Sequence, residues 1–181
     1  MANVNNKTLN LVYIGAAAAI IAVCAWITVP IGAIPITLQT MAVCLVAALL
    51  GWKKGTPAVL IYILLGAIGV PVFSGFRGGI GVLLGATGGY IIGFIFTALL
   101  VGIASDKSDK LWVLMLSMVL GVAVCYAFGT AWFMLVYAKN TQPIGLSKTL
   151  GLCVTPFLLP DAVKIVIAAL LARRLKPLIR R

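Results

Sequence analysis

Residues Leu111 to Ala138 read LWVLMLSMVLGVAVCYAFGTAWFMLVYA, 28 residues without one aspartate, glutamate, lysine or arginine. About 20 apolar residues cross the hydrocarbon core of a bilayer as a helix, so this stretch is long enough to span with some tilt. Three further runs share its character: Leu9 to Val29, Thr56 to Phe76 and Gly79 to Ser105, of 21, 21 and 27 residues. In hydrocarbon every backbone polar group needs an internal partner, which leaves helices or a closed barrel. Barrel strands alternate polar and apolar residues over about ten positions, and these runs do not. The expectation is an all-α integral membrane protein.

Composition agrees across the whole chain. Of 181 residues, 63% are hydrophobic and 9% charged, with a mean hydropathy of +1.19. A soluble domain carries about 25% charged residues. Six transmembrane helices are expected, at about 9–29, 38–51, 56–69, 84–104, 111–137 and 150–175, in a single domain over residues 1–181. Gly51-Trp-Lys-Lys-Gly55 makes a tight turn between the second and third, with Pro57 at a helix start, where proline is tolerated. Pro156 and Pro160 should kink the first half of the sixth. The first run lacks the charged region and cleavage site of a signal peptide and is expected to be retained as a span.

The net charge of +11 is distributed by topology. Lys7, Lys53 and Lys54, Lys107 and Lys110, and the tail from Arg173 to Arg181 hold ten of the 14 basic residues, at alternate ends of the apolar runs. The intervening connections hold only Arg77, Lys139 and Lys148. This is the positive-inside pattern of an even number of spans with both termini cytoplasmic. The basic tail could also touch anionic headgroups.

The chain has three acids, and Asp106 and Asp109 lie in the turn between the fourth and fifth runs. The third, Asp161, stands three residues before Lys164 in Pro160-Asp-Ala-Val-Lys164. That spacing puts both side chains on one helix face. At about 1.5 Å of rise per residue, Lys164 sits roughly 13 Å from the basic boundary marked by Arg173. Both groups therefore lie near the midplane, where charges are costly and usually face a cavity or each other. They form either a structural ion pair or part of a ligand site, and the second reading is preferred because a buried pair stabilises a bundle little.

Thr37, Gln39 and Thr40 stand near one candidate helix start, and Thr87 and Tyr90 near another. A few polar groups in an apolar, aromatic cavity make a small-molecule site, and Phe73, Phe76, Trp132 and Tyr137 could supply walls. Arg77 is the cation placed to meet an anionic solute. Ten of the 19 glycines fall between Gly66 and Gly93, and Gly85, Gly89 and Gly93 give the fourth helix a small-residue face. In the first helix Gly15/Ala19 and Ala18/Ala22 form similar strips, open to a partner helix or to packing within the bundle. Cys24, Cys44, Cys125 and Cys153 lie in apolar stretches of a chain without histidine; they read as buried small residues, and no metal or other cofactor is expected.

At these residues a family resemblance emerges. Ile34-Pro-Ile-Thr-Leu-Gln-Thr40, Gly66-Ala-Ile-Gly-Val-Pro-Val-Phe73, Gly85-Ala-Thr-Gly-Gly-Tyr-Ile-Ile-Gly-Phe94 and Pro160-Asp161…Lys164 together resemble the BioY family of biotin S components. One departure is Ala86, where the family commonly has proline. The resemblance implies a six-helix subunit of an energy-coupling-factor (ECF) importer that binds biotin from the extracellular side at the cell membrane. It also implies partners: a transmembrane coupling protein and two ABC-type ATPases. The coupling protein would meet an A-x-x-x-A strip, here Ala18 and Ala22. The chain itself carries no Walker motif.

Two other classes fit the residues less well. A stand-alone secondary transporter normally needs intramembrane acids in a relay and often shows internal repeats; one Asp beside one Lys is thin. A membrane enzyme would lack the usual acid–base groups. An S component for thiamine or riboflavin is the nearest alternative, though the 16 aromatics are thinly spread for such ligands.

Overall fold

The apolar runs fold as helices, and where each begins and ends depends on glycine, proline and the few polar residues. The computed structural model describes residues 6–30, 34–140 and 145–179. Residues 31–33 of the Pro30–Pro35 connection, and Arg180 and Arg181 of the basic tail, lie outside the described residues. In chain order the elements are α1 (Asn6–Trp26), β1 (Thr28–Val29), β2 (Ile36–Thr37), α2 (Gln39–Leu50) and α3 (Trp52–Ala67). They are followed by α4 (Ile80–Leu84), α5 (Gly88–Lys107), α6 (Leu111–Asn140), α7 (Leu146–Cys153) and α8 (Thr155–Ile179). The two short strands pair antiparallel, Thr28 with Thr37 and Val29 with Ile36.

Among the described residues, four helical stretches are long and apolar enough to cross a membrane: Lys7–Trp26, Gly88–Lys107, Leu111–Ala138 and Thr155–Ile179. The other two expected spans are shorter. α2 and α3 have 12 and 16 residues, or about 18 and 24 Å of helix. Pro57 lies inside α3 and not at its start, because Gly51 ends α2 and α3 begins at once with Trp52. The sixth expected helix is broken in two at Val154, with φ −122°. Pro156 has no N–H to bond the carbonyl four residues back, so the chain ends α7 and restarts with proline in the first turn of α8. The fourth expected helix begins at Gly88, after the separate turn of α4.

α2 is the innermost helix. Ala42, Val43, Cys44, Ala47 and Ala48 are buried, and the helix packs against α8, α5, α3 and α1. Its small side chains let four neighbours approach. The most extensive helix pair is α5 with α6, and glycine sets its closeness. A Cβ on Gly89 would lie 2.2 Å from Trp132 Cβ, and one on Gly93 would lie 2.9 Å from Cys125 Sγ. Gly85 ends α4 and so is not part of this helix face, but its carbonyl accepts a 3.0 Å hydrogen bond from the Trp132 indole.

Polar contacts define the two ends of the bundle. At one, the Trp52 amide donates to Asp106 Oδ2 at 3.2 Å. Lys176 Nζ donates to the Ser105 carbonyl at 2.6 Å and to Asp109 Oδ1 at 2.7 Å. Leu9 and Asn10 of α1 and Ile179 of α8 border the same groove as Lys53, Lys54 and Asp106. At the opposite end, the Trp26 indole donates to the Pro71 carbonyl at 2.9 Å, and the Thr28 and Ser74 hydroxyls bond at 3.0 Å.

Candidate functional site

A cavity lies among α2, α5, α6 and α8 and is bordered by the β2 strand and the 73–77 turn. It holds roughly 770 Å3 of empty space, its open mouth included. Of the twelve residues named above as site candidates, nine line it: Thr37, Gln39, Thr40, Phe73, Arg77, Thr87, Tyr90, Asp161 and Lys164.

The charged pair lies on α8 just beyond Pro160. Lys164 Nζ donates to Asp161 Oδ1 at 2.8 Å, and both residues are buried, at 7% and 3% exposure. The second carboxylate oxygen accepts from the Tyr126 hydroxyl of α6. A buried ion pair is tolerated only when its hydrogen-bonding capacity is met, and here two helices contribute. Of the three ammonium N–H donors of Lys164, Asp161 engages one.

Polar groups also mark the N-terminal ends of α2 and α5. The Gln39 amide N–H donates to Thr37 Oγ1 at 3.2 Å, and Gln39 Nε2 donates to the Tyr62 hydroxyl. The Tyr90 hydroxyl bonds Thr130 at 3.2 Å. Phe73 is buried, edge-on to Tyr62 with ring centroids 5.5 Å apart. It occupies the space a side chain on Gly66 would take, since a Cβ there would lie 2.0 Å from the Phe73 ring. Phe73 N donates to the Arg77 carbonyl at 2.9 Å, closing the tight turn that carries Arg77.

Three aromatic residues that could have supplied walls pack elsewhere. Phe76 is 64% exposed and stacks on Trp26, with centroids 4.9 Å apart. Trp132 packs on α5, and Tyr137 stacks on Phe133; none of the three lines the cavity. Phe94 and Phe157 supply aromatic wall instead.

Tyr126 was not anticipated. It belongs to a stripe on α6, Val122-Tyr126-Thr130-Phe133, whose helical spacing was the one available signal. Cys125 and Cys153 also line the cavity, so two of the four cysteines are wall as well as packing.

The two strips on α1 face different ways. Ala18 and Ala22 are buried in the core at 3% and 6% exposure. Gly15 and Ala19 are exposed, and a Cβ on Gly15 would meet nothing within 4 Å. Within this chain Ala18 and Ala22 pack against their own bundle, while Gly15 and Ala19 lie on its outer surface.

Known proteins resemble this chain in sequence and in fold. The family model described as the BioY family matches residues 1–181. A relative from Thermotoga maritima, named biotin transporter BioY, is 42% identical over 168 residues, covering 93% of this chain and 96% of its own. One from Pyrococcus horikoshii, named probable biotin transporter BioY, is 41% identical, covering 87% and 90%. A crystal structure described as the S-component for biotin from an ECF-type ABC transporter superposes with a TM-score of 0.85 at 31% identity. It covers 98% of this chain and 95% of that one. By family match, sequence and fold along nearly its whole length, this chain belongs to the BioY family.

Proposed function

We propose that the chain is the biotin-binding S component of an ECF-type importer, capturing the vitamin from the extracellular side. The observation that carries this reading is the Asp161–Lys164–Tyr126 cluster inside a largely apolar cavity, in a member of the BioY family. A ureido ring has two N–H donors and one carbonyl acceptor. Asp161 accepts from a ureido N–H, and Lys164 donates to the ureido oxygen through an ammonium N–H not used by Asp161. Phe73 and Phe157 cover the fused rings, while Thr37, Gln39, Thr87 and Tyr90 offer polar contacts around them. Arg77 meets the valerate carboxylate. Asp161 is the only acid among the lining residues and is matched by Lys164, so Arg77 brings an uncompensated positive charge.

Six passes of the bundle fit this role: α1, α2, α3, α5, α6 and α8, with both termini cytoplasmic. The support is the meeting of the α1 start, the α2–α3 turn, the α5–α6 turn and the α8 end at one basic end, which the positive-inside rule assigns to the cytoplasm. The partners are a transmembrane coupling protein and two ABC-type ATPases. Gly15 and Ala19 offer the coupling protein a small-residue strip on the outer face of α1. The test is a titration of vitamin-free protein in detergent with biotin, thiamine and riboflavin. Saturable binding of biotin alone is expected; folded protein that ignores biotin would overturn the reading.

A further inference from the structure

Phe76 is the one non-glycine residue with a left-handed backbone among the described residues, with φ 56°. A bulky side chain in that region is strained and persists only where its surroundings hold it. The surroundings here are specific. The Phe76 ring stacks on Trp26 with centroids 4.9 Å apart and an interplanar angle of 22°. Trp26 is in turn tied to the same segment by its indole bond to the Pro71 carbonyl at 2.9 Å, and Thr28 bonds Ser74 at 3.0 Å. Three contacts thus fasten the 71–76 segment to the end of α1.

Arg77 follows immediately. The bond from Phe73 N to its carbonyl, at 2.9 Å, closes the turn, and its own Nε donates to the Ser74 carbonyl at 3.3 Å. Phe76 does not line the cavity, whereas Arg77 does. A glycine at position 76 would adopt the same φ without strain, so the turn alone does not need phenylalanine. What phenylalanine adds is the stack.

We propose that Phe76 is a positioning residue for ligand selection: stacked on Trp26, it holds the 73–77 turn so that the Arg77 guanidinium stays over the cavity mouth and favours ligands ending in a carboxylate. This rests on the biotin reading and extends it to specificity. The stack acts on the charged end of the ligand, because it holds the turn that carries Arg77, while the ureido contacts come from α8.

The test compares biotin with its primary amide, which keeps the rings and loses the charge. Affinities are measured for the full chain in detergent, in wild type and in the Phe76→Gly, Phe76→Tyr, Trp26→Ala and Arg77→Ala variants. An ion pair of this kind contributes roughly three- to thirtyfold in affinity. Wild type should prefer biotin by about that factor, and Arg77→Ala should abolish the preference. Phe76→Gly and Trp26→Ala should reduce the preference several-fold with amide affinity unchanged, and Phe76→Tyr should restore it. Equal losses for both ligands, or none, in Phe76→Gly would overturn the proposal while leaving Arg77 in place. Wild type that bound biotin and its amide alike would remove Arg77, and with it Phe76, from ligand selection. A protein that bound neither would overturn the biotin reading itself.

Discussion

Lys164 Nζ stands 2.8 Å from Asp161 Oδ1, three residues apart on α8, with both side chains buried. The spacing is local but its stability is not. Tyr126, on another helix, holds the second carboxylate oxygen, so the ion pair is part of the contact between α6 and α8. Removing either charge leaves the other buried and uncompensated, which typically costs about 3–5 kcal/mol.

Asp161→Asn keeps the size and removes the charge. Biotin affinity should fall by about 1–3 kcal/mol, the value of a hydrogen bond to a charged group. Calorimetric titration checks this; unchanged affinity in folded protein would exclude Asp161 from ligand contact.

Tyr126→Phe deletes one hydroxyl and keeps the ring. The loss is expected to be about 1 kcal/mol in thermal stability, with a smaller drop in biotin affinity as the carboxylate gains freedom. Unfolding curves with and without biotin separate the two effects. An unchanged melting temperature would show that the Tyr126–Asp161 bond contributes nothing net.

Gly66→Ala places a methyl group where the Phe73 ring lies, 2.0 Å from its nearest atom. Overpacking of this sort costs about 1–3 kcal/mol. The ring has the cavity on its other side, so biotin binding should weaken together with stability. The double variant with Phe73→Leu should recover part of the stability; if it does not, the close approach of Gly66 and Phe73 is not the cause.

Lys176→Met tests the opposite end. Its pair with Asp109 is weak, because that carboxylate is 91% exposed and screened by solvent. Its bond to the Ser105 carbonyl, at 2.6 Å near the end of α5, is the larger contribution. Thermal stability should fall by about 0.5–1.5 kcal/mol and biotin affinity should be unaltered. A large affinity change would mean that this end communicates with the cavity.

The long spans, the charged pair and the polar residues near the starts of α2 and α5 were legible in the sequence for clear reasons. Charge is expensive in a bilayer, so Asp161 and Lys164 stand out wherever they occur. The direction each apolar side chain faces was not legible. In a soluble helix the buried stripe differs from the exposed one in polarity, but a membrane helix meets apolar surroundings on both sides. Phe76, Trp132 and Tyr137 therefore read like Phe73, and Ala18 and Ala22 read like Gly15 and Ala19. The shortness of α2 and α3 was legible: expected at 38–51 and 56–69, they run over Gln39–Leu50 and Trp52–Ala67.

The grip on both oxygens of Asp161 has a consequence for the pace of capture. A carboxylate fixed by Lys164 and Tyr126 has already lost its rotamer freedom during folding, so meeting a ligand requires little further ordering at that point. The deep part of the cavity is thus preorganised. Rearrangement around α8 is therefore not a step for which capture of the vitamin has to wait.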